Sequence, residues 1–120
     1  MDKVLIAPAT LAGIDAEYLH ALKGAGFEPV FPRKPFQLVE AELLEELTGA
    51  RAALAGSEPY TKKVLQAHPQ LRVVARAGVG YDAVDVDAAT ELGIAVTITP
   101  NTNQDAVAEH TFALILAVAK

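Results

Sequence analysis

The chain has 120 residues, 52% of them hydrophobic and 21% charged, with a formal net charge of −5 and no cysteine. That length and balance support one ordinary folded domain and exclude a disordered chain. The acidic balance lacks a basic stripe for nucleic acid or anionic membrane, and the missing cysteine excludes disulfides, thiolate catalysis and Cys-bound zinc.

Short apolar runs alternate with helical patterns along the chain. The start, Met1-Asp2-Lys3-Val4-Leu5-Ile6, carries no signal-peptide pattern, and Val4–Ala7 reads as a first strand. Tyr18, Leu19 and Leu22 form one helical stripe, stopping before Gly24. Pro29-Val30-Phe31 is a weaker strand whose prolines suit a sheet edge, because proline donates nothing to a ladder. Val39, Leu43, Leu44 and Leu47 form the second stripe, with Gly49 past its end. Its acidic residues Glu40, Glu42, Glu45 and Glu46 read as a solvated face.

Ala52–Ala55 is the third strand. A third helix starts at Thr61, an N-cap type, and ends near His68 because Pro69 disfavours helix before it. Val73–Ala75 is the fourth strand. A fourth helix takes Asp85 as N-cap and Gly93 as stop. Ile94–Ile98 is the fifth strand, and the fifth helix runs from about Asp105 to the end. The runs Val4–Ala7, Ala52–Ala55, Val73–Ala75 and Ile94–Ile98 read as strands buried on both faces.

Five β-α units predict a flavodoxin-like, doubly wound, five-stranded parallel sheet of order 2-1-3-4-5 with helices on both faces. In such sheets ligands bind beyond the carboxyl ends of the strands. The segments there include Pro8–Gly13, Gly56–Tyr60, Arg76–Asp85 and Thr99–Asp105.

The sharpest local feature is Arg76-Ala77-Gly78-Val79-Gly80-Tyr81-Asp82-Ala83-Val84-Asp85, between the fourth strand and the fourth helix. Gly78–Ala83 fits the dinucleotide pattern G-x-G-x-x-A. The context argues against a dinucleotide. The loop does not follow the first strand, no acidic residue closes the next strand, and Asp82 would repel a pyrophosphate. A smaller anion fits better. Glycines with positive φ would let amides converge into a nest, the helix N-terminus would add favourable potential, and Arg76 would add a bidentate contact. The competing reading is a tight turn with a solvated arginine.

This stretch, with Ala88-Ala89-Thr90-Glu91-Leu92-Gly93-Ile94, Pro100, Asn103 and Val107-Ala108-Glu109-His110-Thr111, resembles the D-isomer-specific 2-hydroxyacid dehydrogenases. The phosphoglycerate dehydrogenase-like branch is the nearest. The motifs are dense from Leu71 to Lys120; earlier the likeness is mainly architectural. The resemblance implies an oxidoreductase of two domains, with residues 1–120 as the flavodoxin-like substrate-binding domain and the Rossmann cofactor domain absent. It implies substrate contacts at Arg76, Gly78, Val79 and Gly80, with the Val79 and Gly80 amides on the substrate carboxylate. In the complete enzyme the Val79 side chain would face the nicotinamide of NAD. Ser57, Asn101 and Asn103 fall at the cleft rim.

The same resemblance puts the family's acid–base histidine, its partner glutamate, the clamping arginine and the phosphate-binding loop on the inserted domain. No catalytic residue and no cofactor are therefore expected in this chain. Hydride transfer would belong to the parent, the fragment would be inactive, and it would bind a small 2-hydroxy or 2-oxo acid only weakly. Phosphoglycerate-specific members commonly carry Arg-Ser where this chain has Gly56-Ser57, which argues against phosphoglycerate as the parent's substrate. The frequent asparagine after Asp82 is Ala83 here.

Other residues read as structural. Asp82 and Asp85 lack a third metal ligand, and His20, His68 and His110 are scattered without orienting carboxylates. The last helix is apolar nearly all round, so Phe112, Leu114, Ile115, Leu116 and Val118 are expected to drive self-association. The alternative to a dehydrogenase part is a stand-alone, non-catalytic flavodoxin-like domain. A receiver-type phosphoacceptor is excluded because Ala7-Pro8-Ala9, Ala55-Gly56-Ser57 and Pro100-Asn101 stand where its acidic pair, aspartate and lysine would be. A flavodoxin would need a hydroxyl-rich loop at Pro8–Gly13. A cytoplasmic location is expected, with no nucleic acid, membrane or metal as partner.

Overall fold

A computed structural model describes all residues, 1–120. The elements in chain order are β1 (Asp2–Ile6), α1 (Glu17–Gly24), β2 (Phe27–Val30), α2 (Glu40–Glu46) and β3 (Ala50–Ala55). They continue with α3 (Lys62–Ala67), β4 (Val73–Arg76), α4 (Val86–Glu91), β5 (Ala95–Thr97) and α5 (Gln104–Ala119). A short 3-10 turn at Ala9–Leu11 follows β1. The strands form one parallel sheet of order β2-β1-β3-β4-β5, as the alternating pattern predicts.

Local chemistry sets the boundaries. Thr61 Oγ1 accepts from the Val64 amide at 3.3 Å, and Asp85 Oδ1 accepts from the Ala88 amide at 2.9 Å, so both predicted N-caps hold. Gly26, Gly49 and Gly93 take φ of 86°, 76° and 70° between a helix and the next strand. The first helix thus runs through Gly24 and turns at Gly26, because Gly26 supplies the left-handed conformation. β2, with Pro29, is an edge strand.

The side chains of the sheet alternate between two faces. One face sends Leu5, Ala53, Ala55 and Val74 into a core with α2, α3 and α4, built around Leu38, Leu43, Leu47, Val64 and Leu65. The other face carries Val4 and Ile6, covered by Leu19 of α1 and its neighbours Tyr18 and Leu22. That cover reaches no further. Val73 and Ala75 of β4 are half-buried and Ala95 and Thr97 of β5 are exposed, so the later strands are not buried on both faces as their apolar runs suggested.

The residues between α1 and the bare part of the sheet line an open trough of about 470 Å³, wholly apolar in its walls, including Leu22, Phe27, Leu54, Val73 and Ala75. The helix that a doubly wound sheet would place over it stands clear of the domain. Every residue of α5 is exposed. A compact chain of this length has a radius of gyration of about 13–14 Å; here it is 15.9 Å, with a long axis of 52 Å.

The acidic face of α2 does more than meet solvent. Arg33 pairs with Glu45 at 3.1 Å and Glu46 at 3.0 Å, and Lys34 pairs with Glu42. Glu42 also accepts from the Val39 amide at 3.0 Å. These contacts pin the segment after β2 against α2, and they hold the Glu42 carboxyl below its ordinary value, chiefly through Lys34. His20 also departs from expectation, since its Nε2 lies 3.1 Å from Asp15, a carboxylate on the loop before α1.

Candidate functional site

The loops beyond the strand ends are tied to one another by backbone hydrogen bonds. Beyond β3 and β4, the Ala77 amide donates to the Ala55 carbonyl at 2.8 Å. The Tyr60 amide then donates to the Ala83 carbonyl at 2.9 Å, and the Asp85 amide donates to Tyr60 at 3.0 Å. On the other side the Thr99 amide donates to the Gly78 carbonyl at 2.9 Å. The glycine loop is thereby clamped at Gly78 and at Ala83–Asp85, which leaves Val79–Asp82 as its tip.

At that tip the Val79, Gly80 and Tyr81 amides donate to no protein acceptor. Val79 and Tyr81 are 40% and 53% exposed. Neither Gly78 nor Gly80 has positive φ, which corrects the expectation of a left-handed nest there. The space over Gly78 is taken by a side chain. A Cβ there would lie 2.5 Å from Arg76 Nη1 and 3.0 Å from its Cζ. At 80 a Cβ would meet Asp82 Oδ1 at 3.3 Å.

Arg76 therefore folds back across Gly78. Its Nη1 donates to the Ala77 carbonyl at 2.9 Å and its Nη2 reaches Ser57 Oγ at 3.4 Å. The guanidinium is engaged by the protein and is not a free fork waiting for an anion. The expected help from the helix terminus is also reduced: α4 is only six residues long and Asp85 already occupies its Ala88 amide.

Beside the loop, Arg76 and Ala77 form one wall of a recess of about 370 Å³. Its other walls include Thr10, Gln37, Gly56 and Ser57, and Glu58 lies at its floor. Glu58 is 1% exposed. Its Oε2 accepts from the Gly56 amide at 2.8 Å, while its Oε1 sits 2.5 Å from where a Gly56 Cβ would be. Burial raises the Glu58 carboxyl above its ordinary value; the Gly56 amide and the nearby Arg76 charge pull it back. Tyr60, fully buried, sits next in the chain but one. Its hydroxyl finds no partner in hydrogen-bonding geometry, although the Glu58 charge is near enough to add to the rise that burial imposes on it.

The structure thus brings Ser57, Arg76 and the glycine loop together at one end of the sheet. It does not bring in Asn101 or Asn103. Asn101 has φ of 57° in the turn after β5, and Asn103 precedes α5 without a side-chain hydrogen bond to it. Neither lines the recess. Glu58 is the residue that sequence reasoning missed. Its signal was a carboxylate between a strand end and a helix N-cap, two residues after a glycine. The apolar trough, although larger, carries no polar group that could orient an acid. No group of three His, Cys, Asp or Glu side chains is placed to hold a metal.

The residues present do not fit a dinucleotide at the glycine loop. The room above Gly78 is taken by Arg76, and Asp82 stands at the tip.

The fold is thus a doubly wound parallel domain with a clamped glycine loop and a polar recess at its strand ends. The chain belongs to the D-isomer specific 2-hydroxyacid dehydrogenase family, whose catalytic-domain profile matches residues 5–117. The match starts in β1, so it includes the half in which the motifs gave only architecture. A D-3-phosphoglycerate dehydrogenase of Synechocystis is 42% identical over 84 residues, 69% of this chain and 15% of that protein. The crystal structure of a protein of Thermus thermophilus superposes with TM-score 0.83 at 36% identity, covering 98% of this chain and 36% of that one. A D-lactate dehydrogenase of Aquifex aeolicus, solved with NAD and lactic acid, gives TM-score 0.71 at 26% identity, covering 96% and 33%. The chain thus spans about a third or less of the length of these proteins.

Proposed function

We propose that residues 1–120 are the substrate-holding part of an NAD-dependent D-2-hydroxyacid dehydrogenase. The observation that carries this reading is the pair of unsatisfied amides at Val79 and Gly80, held at the carboxyl edge of the sheet by backbone hydrogen bonds on both sides of the loop. The two N–H groups grip the substrate carboxylate, and Arg76, engaged by Ala77 and Ser57, forms the adjoining wall. Oxidation of the bound acid moves a hydride from C2 to the nicotinamide and the hydroxyl proton to a base, leaving a 2-oxo acid. The base and the dinucleotide site belong to polypeptide outside these residues, and the Val79 side chain meets the nicotinamide edge. The work of this chain is orientation of C2.

By itself the chain is inactive and binds weakly. Charge-assisted hydrogen bonds are worth about 1.5–3 kcal/mol each. Ordering costs consume much of that, so affinity for a small acid is about millimolar or weaker. Amide-resolved NMR titration with glyoxylate tests the reading. The Val79 and Gly80 resonances move together and saturate, and no NADH is consumed. Shifts confined to other loops, or turnover by the purified chain, would overturn it.

In the chain alone, α5 and the trough are unpartnered apolar surfaces, and we place them against each other across two copies. The reading of a non-catalytic stand-alone domain differs only in what joins these surfaces. No helix is long and apolar enough to cross a membrane, and we place the protein in the cytoplasm.

A further inference from the structure

The recess has one cation and one anion in its walls, Arg76 and Glu58; its other polar side chains, Thr10, Gln37 and Ser57, are uncharged. Gln37 is fixed there by donation to the Ser57 carbonyl at 3.4 Å. Arg76 leans toward the same loop through Ser57 Oγ. Glu58 is held in place twice: by the Gly56 amide, and by the absence of any side chain at 56, whose Cβ position its carboxylate occupies. The carboxylate is thus a built feature of the floor and not a mobile surface group.

We propose that Glu58 is a specificity-determining residue, which neutralises Arg76 and so fits the recess to 2-hydroxy or 2-oxo acids with an uncharged, hydroxyl-bearing far end, while turning phosphorylated acids away. This rests on the reading above that the glycine loop takes the carboxylate; the rest of the molecule then extends past Ala77 into the recess. An arginine alone would hold a phosphate group well, by fork geometry and charge. An arginine above a buried carboxylate offers that phosphate no net charge. In the low-dielectric floor, repulsion from Glu58 acts on a dianion at short range with little screening. A neutral hydroxyl escapes this penalty and finds Ser57, Thr10 and Gln37 as hydrogen-bond partners.

The test is a titration of the isotope-labelled chain with D-glycerate, 3-phospho-D-glycerate and inorganic phosphate, in the native protein and in Glu58→Gln. The amide replaces one oxygen and keeps an acceptor for the Gly56 N–H. In the native chain glycerate binds at least as tightly as phosphoglycerate, and inorganic phosphate leaves the Ser57 and Ala77 amides unmoved. In Glu58→Gln phosphoglycerate gains about tenfold while glycerate changes by less than about threefold. A native chain that already prefers phosphoglycerate by tenfold, or a variant with no gain, overturns the proposal. If the variant does not fold, the native preference and the phosphate arm decide it. The two readings fail separately. Loss of the Val79 and Gly80 response to glycerate strikes the carboxylate grip, whereas phosphate binding at Ser57 and Ala77 strikes the role of Glu58.

Discussion

Gly56→Ala isolates what the Gly56–Glu58 contact is worth. The backbone at 56 does not have positive φ, so an alanine there meets no conformational penalty. Its methyl group would, however, stand 2.5 Å from Glu58 Oε1. The carboxylate must leave, and with it goes the 2.8 Å hydrogen bond from the Gly56 amide. A hydrogen bond to a charged group contributes about 1.5–3 kcal/mol, and a carboxylate pushed aside within the recess loses that bond while staying largely desolvated. The expected loss is about 2–3 kcal/mol, a fall in Tm of roughly 10 °C for a domain of this size. Urea denaturation of the single variants and of Gly56→Ala/Glu58→Ala gives a double-mutant cycle. With Glu58 truncated, the added methyl group has nothing to displace, so the coupling between the two positions should be about 2 kcal/mol. A single variant within about 0.5 kcal/mol of the native protein, or strictly additive effects, would refute the packing argument.

Further expectations follow from the same structure. Tyr60→Phe removes a buried hydroxyl that stands beside the Glu58 carboxylate without a well-aligned hydrogen bond, so chemical denaturation should show a change of no more than about 1 kcal/mol. His68 is buried, and burial lowers its imidazole pKa below 6.5. The unfolded chain therefore binds the extra proton as pH falls through 6.5 and below, and the His68 contribution to stability falls with it. His68→Leu should flatten that slope in urea titrations between roughly pH 7 and 5, a range above where Glu40 and Glu42, with lowered values, lose their contributions. Ile115→Glu with Val118→Glu should convert a self-associating chain to monomer in sedimentation velocity. A native chain that sediments as a monomer at high concentration would remove the pairing of α5 with the trough.

The layer order and strand order were legible because each strand's apolar run is bounded by helix caps and glycine stops. Thr61, Asp85, Gly49 and Gly93 do what their residue types favour. Less was legible where two segments distant in sequence share space. Gly78 reads as a source of positive φ, yet its φ is not positive and Arg76 lies where its Cβ would be; at Gly56 the Glu58 carboxylate takes the same place. A loop carboxylate is exposed by default, so burial of Glu58 depends on that three-dimensional fit. The fate of α5 was half legible. Its all-round apolar character signals a need for cover, but the pattern of one chain cannot say which polypeptide provides it.

The grip on the acid is tested most directly by a crystal structure of the chain soaked with glyoxylate at high concentration. One carboxylate oxygen is expected on each of the Val79 and Gly80 nitrogens at about 2.8–3.0 Å, with the carbonyl carbon turned toward open solvent. A ligand bound to the Arg76 guanidinium alone, with both amides left to water, would contradict it.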